Sequence, residues 1–185
     1  MTLDVDTIVE RLKSANQEAS AQLAVRDVLH ELIASNQLDA ALPEVAQGGI
    51  TTLYNAPDLT VLRVAWTPGM RLNPHNHLMW AAIGLYGGVE DNAFYRRTPQ
   101  GLVESGGKEV SAGEVLLLGD DAIHAVANSR REYAVAMHVY GGDFFGDGRS
   151  EWDYETLTEG PRDIEGTMRL FREANERWVK EKPTN

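Results

Sequence analysis

The central part of the chain is a succession of short β-type runs, and this pattern limits the fold more than any other feature of the sequence. Each run is rich in Val, Ile, Leu, Tyr or Trp and is separated from the next by a cluster of Gly, Pro, Asn or Asp. The predicted strands are Ile50–Tyr54, Leu59–Trp66, His75–Tyr86, Val89–Arg96, Leu102–Glu104, Val115–Leu118, Ile123–Ala127 and Tyr133–Tyr140. Short strands with turns roughly every 8 to 12 residues predict an antiparallel sandwich or a jelly-roll barrel.

Helical patterns lie on both sides of this β-region. Residues 4–34 carry two apolar stripes at helical spacing, which predict helices packed on one side of a sheet. A final amphipathic helix is predicted after Pro161, with frayed residues 181–185 at its end. We expect a single domain over residues 1–185, divided into a helical N-terminal segment at 1–48, a β-barrel core at 49–145 and a C-terminal loop and helix at 146–185.

Composition and charge exclude several classes of protein and partner. The chain has 28 acidic residues against 17 Lys and Arg, and a net charge of −11 would repel phosphate backbones, so no nucleic-acid partner is expected. The absence of cysteine excludes disulfides, thiolate ligands and a cysteine nucleophile, and it favours a cytoplasmic location. The sequence shows neither a signal peptide nor a membrane span, so no membrane association is expected. The oligomeric state stays open, with a homodimer as one option.

Two histidines at alternate positions, His75 and His77, form the candidate metal-binding element. Side chains at i and i+2 of a β-strand point to the same face, so both imidazoles can reach one ion. The glycines, histidines and asparagine at regular intervals around this pair are Gly69, His75, His77, Gly88, Gly113, His124 and Asn128. Their spacing resembles the two signature motifs of the cupin superfamily, although Gly119 and Asp121 stand where that family has a proline and a glycine. The resemblance implies a double-stranded β-helix with N- and C-terminal helices, and it implies His124 as a further ligand.

Three histidines can supply three nitrogen ligands to one metal ion: His75, His77 and His124. Many cupins add a glutamate shortly after the second histidine, at places that Ala81 and Ala82 occupy here. A site without a carboxylate suits an Fe(II) cofactor that binds an anionic chelating substrate together with dioxygen. The alternatives are structural histidines or an inert zinc site, and Ni, Cu or Zn would bind the same ligands at least as well as iron.

A narrower resemblance covers roughly Leu59–Phe145 and concerns the thiol dioxygenase, or cysteine dioxygenase-like, branch of the cupins. Members of this branch have a tryptophan nine residues before the first ligand, as Trp66 is, and a Ser-x-His-x-Tyr element. This chain keeps His138 and Tyr140 of that element, with Ala136 in place of the serine. The resemblance implies catalytic roles for His138 and Tyr140. Strand alternation places both side chains on one face, where the tyrosine hydroxyl could donate to bound oxygen or substrate and the histidine could orient that hydroxyl. The alternative is a locally satisfied pair packed in the barrel.

Substrate-binding residues are predicted from alternation and from the arginines. If Trp66 faces the pocket then Val64 does too, and alternation turns Met79 inward, so these three are expected to form the wall. Cysteine dioxygenases carry a carboxylate-binding arginine on a strand that here reads Ile50–Tyr54 and has none. Arg71 is the candidate anchor in its place. The other arginines considered are expected to face away, to be solvated or to pair with the acids Glu90 and Asp91: Arg63, Arg96 and Arg97.

The sequence therefore predicts an Fe(II)-dependent dioxygenase that uses O2 to oxidise a small thiol, of the cysteine or 3-mercaptopropionate type, to a sulfinate. Two alternatives remain open. The same metal site could act on a non-thiol chelating molecule by C–C cleavage or heteroatom oxidation, and the missing arginine favours this possibility. The chain could instead be a non-catalytic metal- or ligand-binding protein, which would retain its metal without needing Tyr140.

Overall fold

The computed structural model describes residues 3–181. Its helices are α1 Val5–Asn16, α2 Ala21–Ala34, α3 Gln37–Ala41 and α4 Ile164–Glu181. Its strands are β1 Gly49–Ala56, β2 Leu59–Trp66, β3 Arg71–Asn76, β4 Ala81–Gly87, β5 Val89–Thr98, β6 Gly101–Ser111, β7 Val115–Leu118, β8 Ile123–Ala127, β9 Ala134–Tyr140, β10 Ser150–Trp152 and β11 Glu159–Pro161. Glu181 ends α4, and the rest of the stretch predicted to fray lies outside the described residues. None of the described helices has both the length and the apolar character needed to cross a membrane.

Strands β2 to β9 form the two facing sheets of a jelly roll. One sheet has the order β1-β2-β9-β4-β7 and the other the order β11-β10-β3-β8-β5-β6, and neighbouring strands are antiparallel. The chain crosses between the sheets after β2, β3, β4, β6, β7 and β8, which is the winding of a double-stranded β-helix. The predicted all-β core with N-terminal helices and one C-terminal helix is confirmed.

Several predicted element boundaries differ from the structure. The predicted strand His75–Tyr86 is two strands, because β3 ends at Asn76 and Leu78 adopts a left-handed backbone with φ 55°. The predicted C-terminal loop contains β10 and β11, and β10 joins the second sheet where Glu151 pairs with His75. Helix α3 was not predicted, because it has only five residues and a single buried one, Leu38.

The sheet that contains β2 and β9 separates two apolar cores. Successive residues of β2 point to opposite sides, so Leu62 lies in the barrel interior and Val61 lies under the N-terminal helices. Helix α2 approaches β4 closely because Gly84 has no side chain, and a Cβ there would lie 2.9 Å from Cδ1 of Ile33. The helices therefore shield one face of the sheet and leave the barrel interior to the candidate site.

Helix α4 packs against the barrel beside Trp66. The ring of Phe171 stacks on the Trp66 ring with centroids 5.3 Å apart and an interplanar angle of 19°. Asn175 of the same helix bonds both backbone groups of Gly48 at 2.9 Å and accepts a 2.7 Å hydrogen bond from the Thr67 hydroxyl. The C-terminal helix thus holds the Trp66 side of the barrel in place.

Candidate functional site

Three buried histidines converge inside the barrel. His75 on β3 pairs in register with His124 on β8, and His77 lies one residue beyond the end of β3. Their ring centroids are separated by 4.7 Å for His75 and His124 and by 5.0 Å for each of the other two pairs. One nitrogen of each ring lies within 4.8 Å of the others. The structure therefore brings together the three predicted ligands.

The state of these imidazoles fits a bound metal ion. Both ring nitrogens of His77 and Nε2 of His124 are buried and have no hydrogen-bond partner among the described residues. Burial is the main cause that lowers the pKa of all three rings, to about 3 for His124, so the rings are neutral near pH 7 and carry free lone pairs. Within the described part of the chain, no carboxylate joins the cluster. A soft or borderline cation with open positions suits such a nitrogen set.

Hydrogen bonds behind the cluster orient two of the rings. The Nδ1 atom of His75 lies 2.9 Å from the Asn73 carbonyl oxygen, which only accepts, so this ring donates there and keeps Nε2 free. The Nδ1 atom of His124 lies 2.8 Å from Oδ1 of Asn92. The amide nitrogen of Asn92 donates in turn to Oε1 of Glu90 at 2.9 Å. Supporting contacts of this kind fix the ring orientation of metal-binding histidines.

Glu90 is a residue of the candidate site that sequence reasoning missed. Its side chain is fully buried on β5, and its Oε2 atom accepts a 2.8 Å hydrogen bond from the indole of Trp66. The same oxygen lies 4.0 Å from Nε2 of His138. Burial raises the pKa of the carboxyl to about 7, against the effect of its hydrogen bonds to Asn92 and Trp66. This acid therefore connects the support of a candidate ligand to the predicted His-Tyr pair.

The arginines at the end of β5 are predicted to be solvated or to pair with acids such as Glu90 and Asp91, and the structure shows one of each kind, with a different acid as the partner. Arg97 forms a salt bridge with Glu159 at 2.6 Å, and Arg96 is exposed. An acid within a predicted strand suggests a solvated side chain, because isolated buried carboxylates are costly. Strand alternation could have indicated the position of Glu90, because it places residue 90 on the same face as Asn92 and Phe94. Phe94 pairs in register with His124, so this face points toward the candidate site.

The predicted His138–Tyr140 pair lies beside the histidine cluster. The Tyr140 hydroxyl is 3.0 Å from Nδ1 of His138, and the Tyr140 ring meets the His77 ring edge-on with centroids 4.9 Å apart. Both side chains are buried, and burial raises the pKa of the phenol and lowers that of His138 to about 3. A neutral phenol is a hydrogen-bond donor at the edge of the site.

The predicted substrate-wall residues occupy different places. Trp66 and Val64 are buried in the barrel interior, and the Trp66 ring lies 6.3 Å from the His138 ring between centroids. Met79 is half-buried at the edge of the same core. Arg71 is exposed, with its guanidinium 4.1 Å from the ring centroid of Tyr154. Roles for these residues in substrate binding stay predictions.

Arg149 is a second residue that sequence reasoning missed. It is buried, and its Cζ atom lies 4.8 Å from the centroid of Phe144, whose ring is 4.6 Å from that of Tyr140. Its Nε and Nη2 atoms donate to the Gly146 carbonyl, whereas Nη1 is buried with no partner among the described residues. Burial lowers the pKa of the guanidinium. Its burial could not be predicted because the residue lies in a segment predicted to be a loop, where an arginine is usually solvated.

Arg162, whose side chain is 4% exposed, differs from Arg149 in its charge balance. It forms a salt bridge with Glu151, which pairs in the sheet with His75. Its positive charge is the next cause after burial that lowers the pKa of His75. Because Glu151 neutralises Arg162, Arg149 is the better placed cation for an anionic ligand.

Known proteins resemble this chain in their fold, and the sequence comparisons gave no match. No protein-family model matches the sequence, and no curated protein matches it. A cupin family protein with a double-stranded β-helix from Methanocaldococcus jannaschii has 8% identity and a TM-score of 0.48 over 56% of this chain and 87% of its own. An uncharacterised double-stranded β-helix protein from Klebsiella pneumoniae has 14% identity and a TM-score of 0.42, over 66% and 90%. An oxalate oxidase in complex with glycolate has 17% identity and a TM-score of 0.41, over 54% and 53%. The fold itself follows from the strand order of this chain.

Proposed function

We propose that this protein is an Fe(II)-dependent dioxygenase that oxidises a small thiol bearing a carboxylate to the corresponding sulfinate. The observation that carries the proposal is a neutral three-histidine cluster beside a buried tyrosine hydroxyl, with the buried guanidinium of Arg149 connected to it through the rings of Phe144 and Tyr140. These groups match the three parts of the reaction: a metal for thiolate and dioxygen, Tyr140 for a developing negative charge, and Arg149 for a carboxylate.

The ligand set supports a metal that binds an anion. Three neutral imidazoles leave the double charge of a cation uncompensated, so a thiolate is a favourable additional ligand. An Fe(II) ion held by His75, His77 and His124 would supply open positions for the thiolate and dioxygen and the electrons that activate dioxygen. Zinc would bind the same nitrogens but has no redox chemistry, so the reaction distinguishes the two metals.

The charge of Arg149 supports a carboxylate on the substrate. A buried donor without a partner costs free energy, and an acceptor oxygen from a ligand would satisfy Nη1. A carboxylate is the acceptor that a guanidinium binds best. Phe144 contacts both this cation and the Tyr140 ring, and, after burial, the positive charge of Arg149 is among the causes that lower the pKa of His77. The cation is therefore near enough to the histidine cluster for one short substrate to reach both.

The proposed reaction balances without a further reductant. A thiolate and one dioxygen give one sulfinate, in which two sulfur–oxygen bonds form while the bond between the oxygen atoms breaks. Sulfur loses four electrons and dioxygen gains four. Tyr140 stays protonated because burial raises its pKa, so its hydroxyl can turn away from Nδ1 of His138 and donate its hydrogen bond to oxygen as negative charge moves onto it. The burial of the site keeps water away and strengthens this contact.

The test uses metal-stripped protein reloaded anaerobically with Fe(II) and mixed with aerated 3-mercaptopropionate, cysteine or cysteamine. We expect oxygen uptake with one sulfinate formed per dioxygen for the carboxylate-bearing thiols, and much slower uptake with cysteamine. His124→Ala, loaded in the same way, and the Zn(II)-loaded protein should show none.

The outcomes separate the proposed function from its alternatives. No uptake with any thiol, although Fe(II) is bound, would overturn the thiol substrate. Uptake with a non-thiol chelator, such as a diketone, would then assign the same site to another oxidation. No uptake with either class, together with tight Zn or Ni retention, would instead support a metal- or ligand-binding protein.

A further inference from the structure

A chain of hydrogen bonds runs behind the metal-ligand face from Trp66 to His124. The indole of Trp66 donates to Glu90 at 2.8 Å, the amide nitrogen of Asn92 donates to the other oxygen of Glu90 at 2.9 Å, and Oδ1 of Asn92 lies 2.8 Å from Nδ1 of His124. All four side chains are buried. An indole can only donate, and above the pKa of about 7 the Glu90 carboxylate can only accept, so the direction of every bond in the chain is determined at about pH 8.

This direction fixes the tautomer of His124. Because the carboxylate of Glu90 only accepts, the NH2 group of Asn92 must face it, and the amide oxygen must face His124. The Nδ1 atom of His124 therefore carries the proton, and Nε2 presents a lone pair to a metal. That Nε2 atom is buried and has no hydrogen-bond partner among residues 3–181.

The same carboxylate also faces His138. Its Oε2 atom lies 4.0 Å from Nε2 of His138, which has no hydrogen-bond partner within the described chain. Ala136, on the same face of β9, has no polar side-chain atom that could take this role. The negative charge of Glu90 favours a proton on Nε2. The Nδ1 atom is then an acceptor for the Tyr140 hydroxyl, 3.0 Å away.

We propose that Glu90 is a positioning residue that sets the tautomers of two histidines at once: His124 through Asn92, and His138 directly. One ring is thereby prepared to bind the metal and the other to accept the Tyr140 hydroxyl. The inference rests on the metal site of the proposed function and is independent of the substrate.

The variant Glu90→Gln makes the proposal testable, because the direction of the chain predicts its effect. Trp66 still only donates, so the new amide must turn its oxygen to Trp66 and its NH2 group to Asn92. Asn92 then turns over and presents NH2 to His124, whose Nδ1 must accept. The proton moves to Nε2, which is the wrong tautomer for the metal. We expect Zn(II) affinity, measured by competition with a chromogenic chelator, to fall about 10- to 100-fold.

A second substitution should restore the metal site. In the double variant Glu90→Gln with Asn92→Asp, position 92 carries the carboxylate and position 90 carries an amide. The carboxylate accepts hydrogen bonds from that amide and from the Nδ1–H of His124. We expect Zn(II) affinity within a few-fold of that of the unaltered protein. Asn92→Ala alone is the matched control: it leaves Nδ1 of His124 without its partner, and we expect it to bind Zn(II) more weakly than the double variant.

The tautomers themselves are measured without a metal or a substrate. Long-range 1H–15N spectra of the metal-free protein at about pH 8, above the pKa of about 7 for Glu90, report the protonated nitrogen of each of the five histidines. We expect Nδ1–H at His124 and Nε2–H at His138, and Nε2–H at His124 in Glu90→Gln.

Two results would overturn the proposal. One is the opposite tautomer at either ring of the unaltered protein, a measurement that needs no variant to fold. The other is a double variant that binds Zn(II) no better than Glu90→Gln. Because both use Zn(II) or the metal-free protein, failure of thiol oxidation would leave them unaffected.

Discussion

The guanidinium of Arg149 lies over the ring of Phe144, 4.8 Å from its centroid, with one buried nitrogen that has no partner in the described part of the chain. If this nitrogen binds the substrate carboxylate, Arg149→Met removes a charge-assisted hydrogen bond worth roughly 1.5–3 kcal/mol. We expect kcat/KM for 3-mercaptopropionate to fall about 10- to 100-fold, mostly through a higher KM, and the slow rate with cysteamine to stay unchanged.

The matched control is Arg71→Met. Arg71 is the anchor that the sequence predicts, but its side chain is exposed and stacks on Tyr154. We expect its kinetics to match those of the unaltered protein. A larger loss in Arg71→Met than in Arg149→Met would move the carboxylate site to the start of β3.

The hydroxyl of Tyr140 is expected to matter for turnover and not for metal binding. Tyr140→Phe keeps the ring that contacts His77 but removes the group that lies 3.0 Å from His138. We expect kcat to fall at least about tenfold, because one donor to developing charge is lost, with Fe(II) content unchanged. Tyr86→Phe is the control, since it removes a hydroxyl that accepts a 2.7 Å bond from Arg63. Equal turnover in both variants would remove Tyr140 from the mechanism.

The fold and the His75–His77 pair could be predicted because their signals are local, whereas His124 is implied by the resemblance to the cupin motifs. Strand alternation and turn residues mark most of the barrel. His75 and His77 still face the same cluster, although His77 lies beyond the end of the strand. The short strands β10 and β11 could not be predicted, because three residues each carry too little pattern. They exist through pairing with distant segments of the sheet.

The charged residues of the site could not be predicted for a different reason. A glutamate in a strand or an arginine in a loop is usually solvated, and only tertiary contacts bury it. Glu90 is buried between Trp66 and Asn92, and Arg149 is buried against Phe144. Trp66 lies 24 residues before Glu90, so no local spacing predicts their contact. Phe144 lies only five residues before Arg149, but both belong to an irregular segment, where no periodicity predicts which side chains meet.

The turn between β4 and β5 depends on Gly88. Its backbone has φ +69°, and a Cβ there would lie 2.4 Å from the Tyr133 carbonyl oxygen and 2.9 Å from Cα of Ala134. Gly69 has nearly the same φ, +71°, but a Cβ there would have nothing within 4 Å of it. We expect Gly69→Ala to lower the free energy of unfolding by about 1–2 kcal/mol, and Gly88→Ala to lower it by at least about 1 kcal/mol more. Urea denaturation of both variants measures the difference. Equal losses of unfolding free energy would show that the backbone around residue 88 shifts to accommodate the added Cβ.

The buried carboxyl of Glu90 should make stability depend on pH in a definite direction. Its pKa is raised from the ordinary 4.5 to about 7 in the folded protein, chiefly by burial, so the folded state binds this proton more tightly than the unfolded state does. The resulting stabilisation is fully present below pH 4.5, declines as the pH rises and is lost above about 7. The difference of roughly 2.5 pKa units corresponds to about 3 kcal/mol.

Comparison with Glu90→Gln isolates this contribution, because the variant has no proton to exchange at this position. The buried histidines act in the opposite direction: their lowered pKa values make the folded protein lose stability as the pH falls below about 6.5. Between about pH 4.5 and pH 7 these rings stay neutral in both folded proteins, so their contribution arises in the unfolded state and cancels in the difference. We therefore expect the free energy of unfolding of the metal-free protein, measured in urea, to fall relative to that of the variant by about 3 kcal/mol between about pH 4.5 and pH 7. A pH-independent difference between the two proteins would mean that Glu90 is ionised throughout this range.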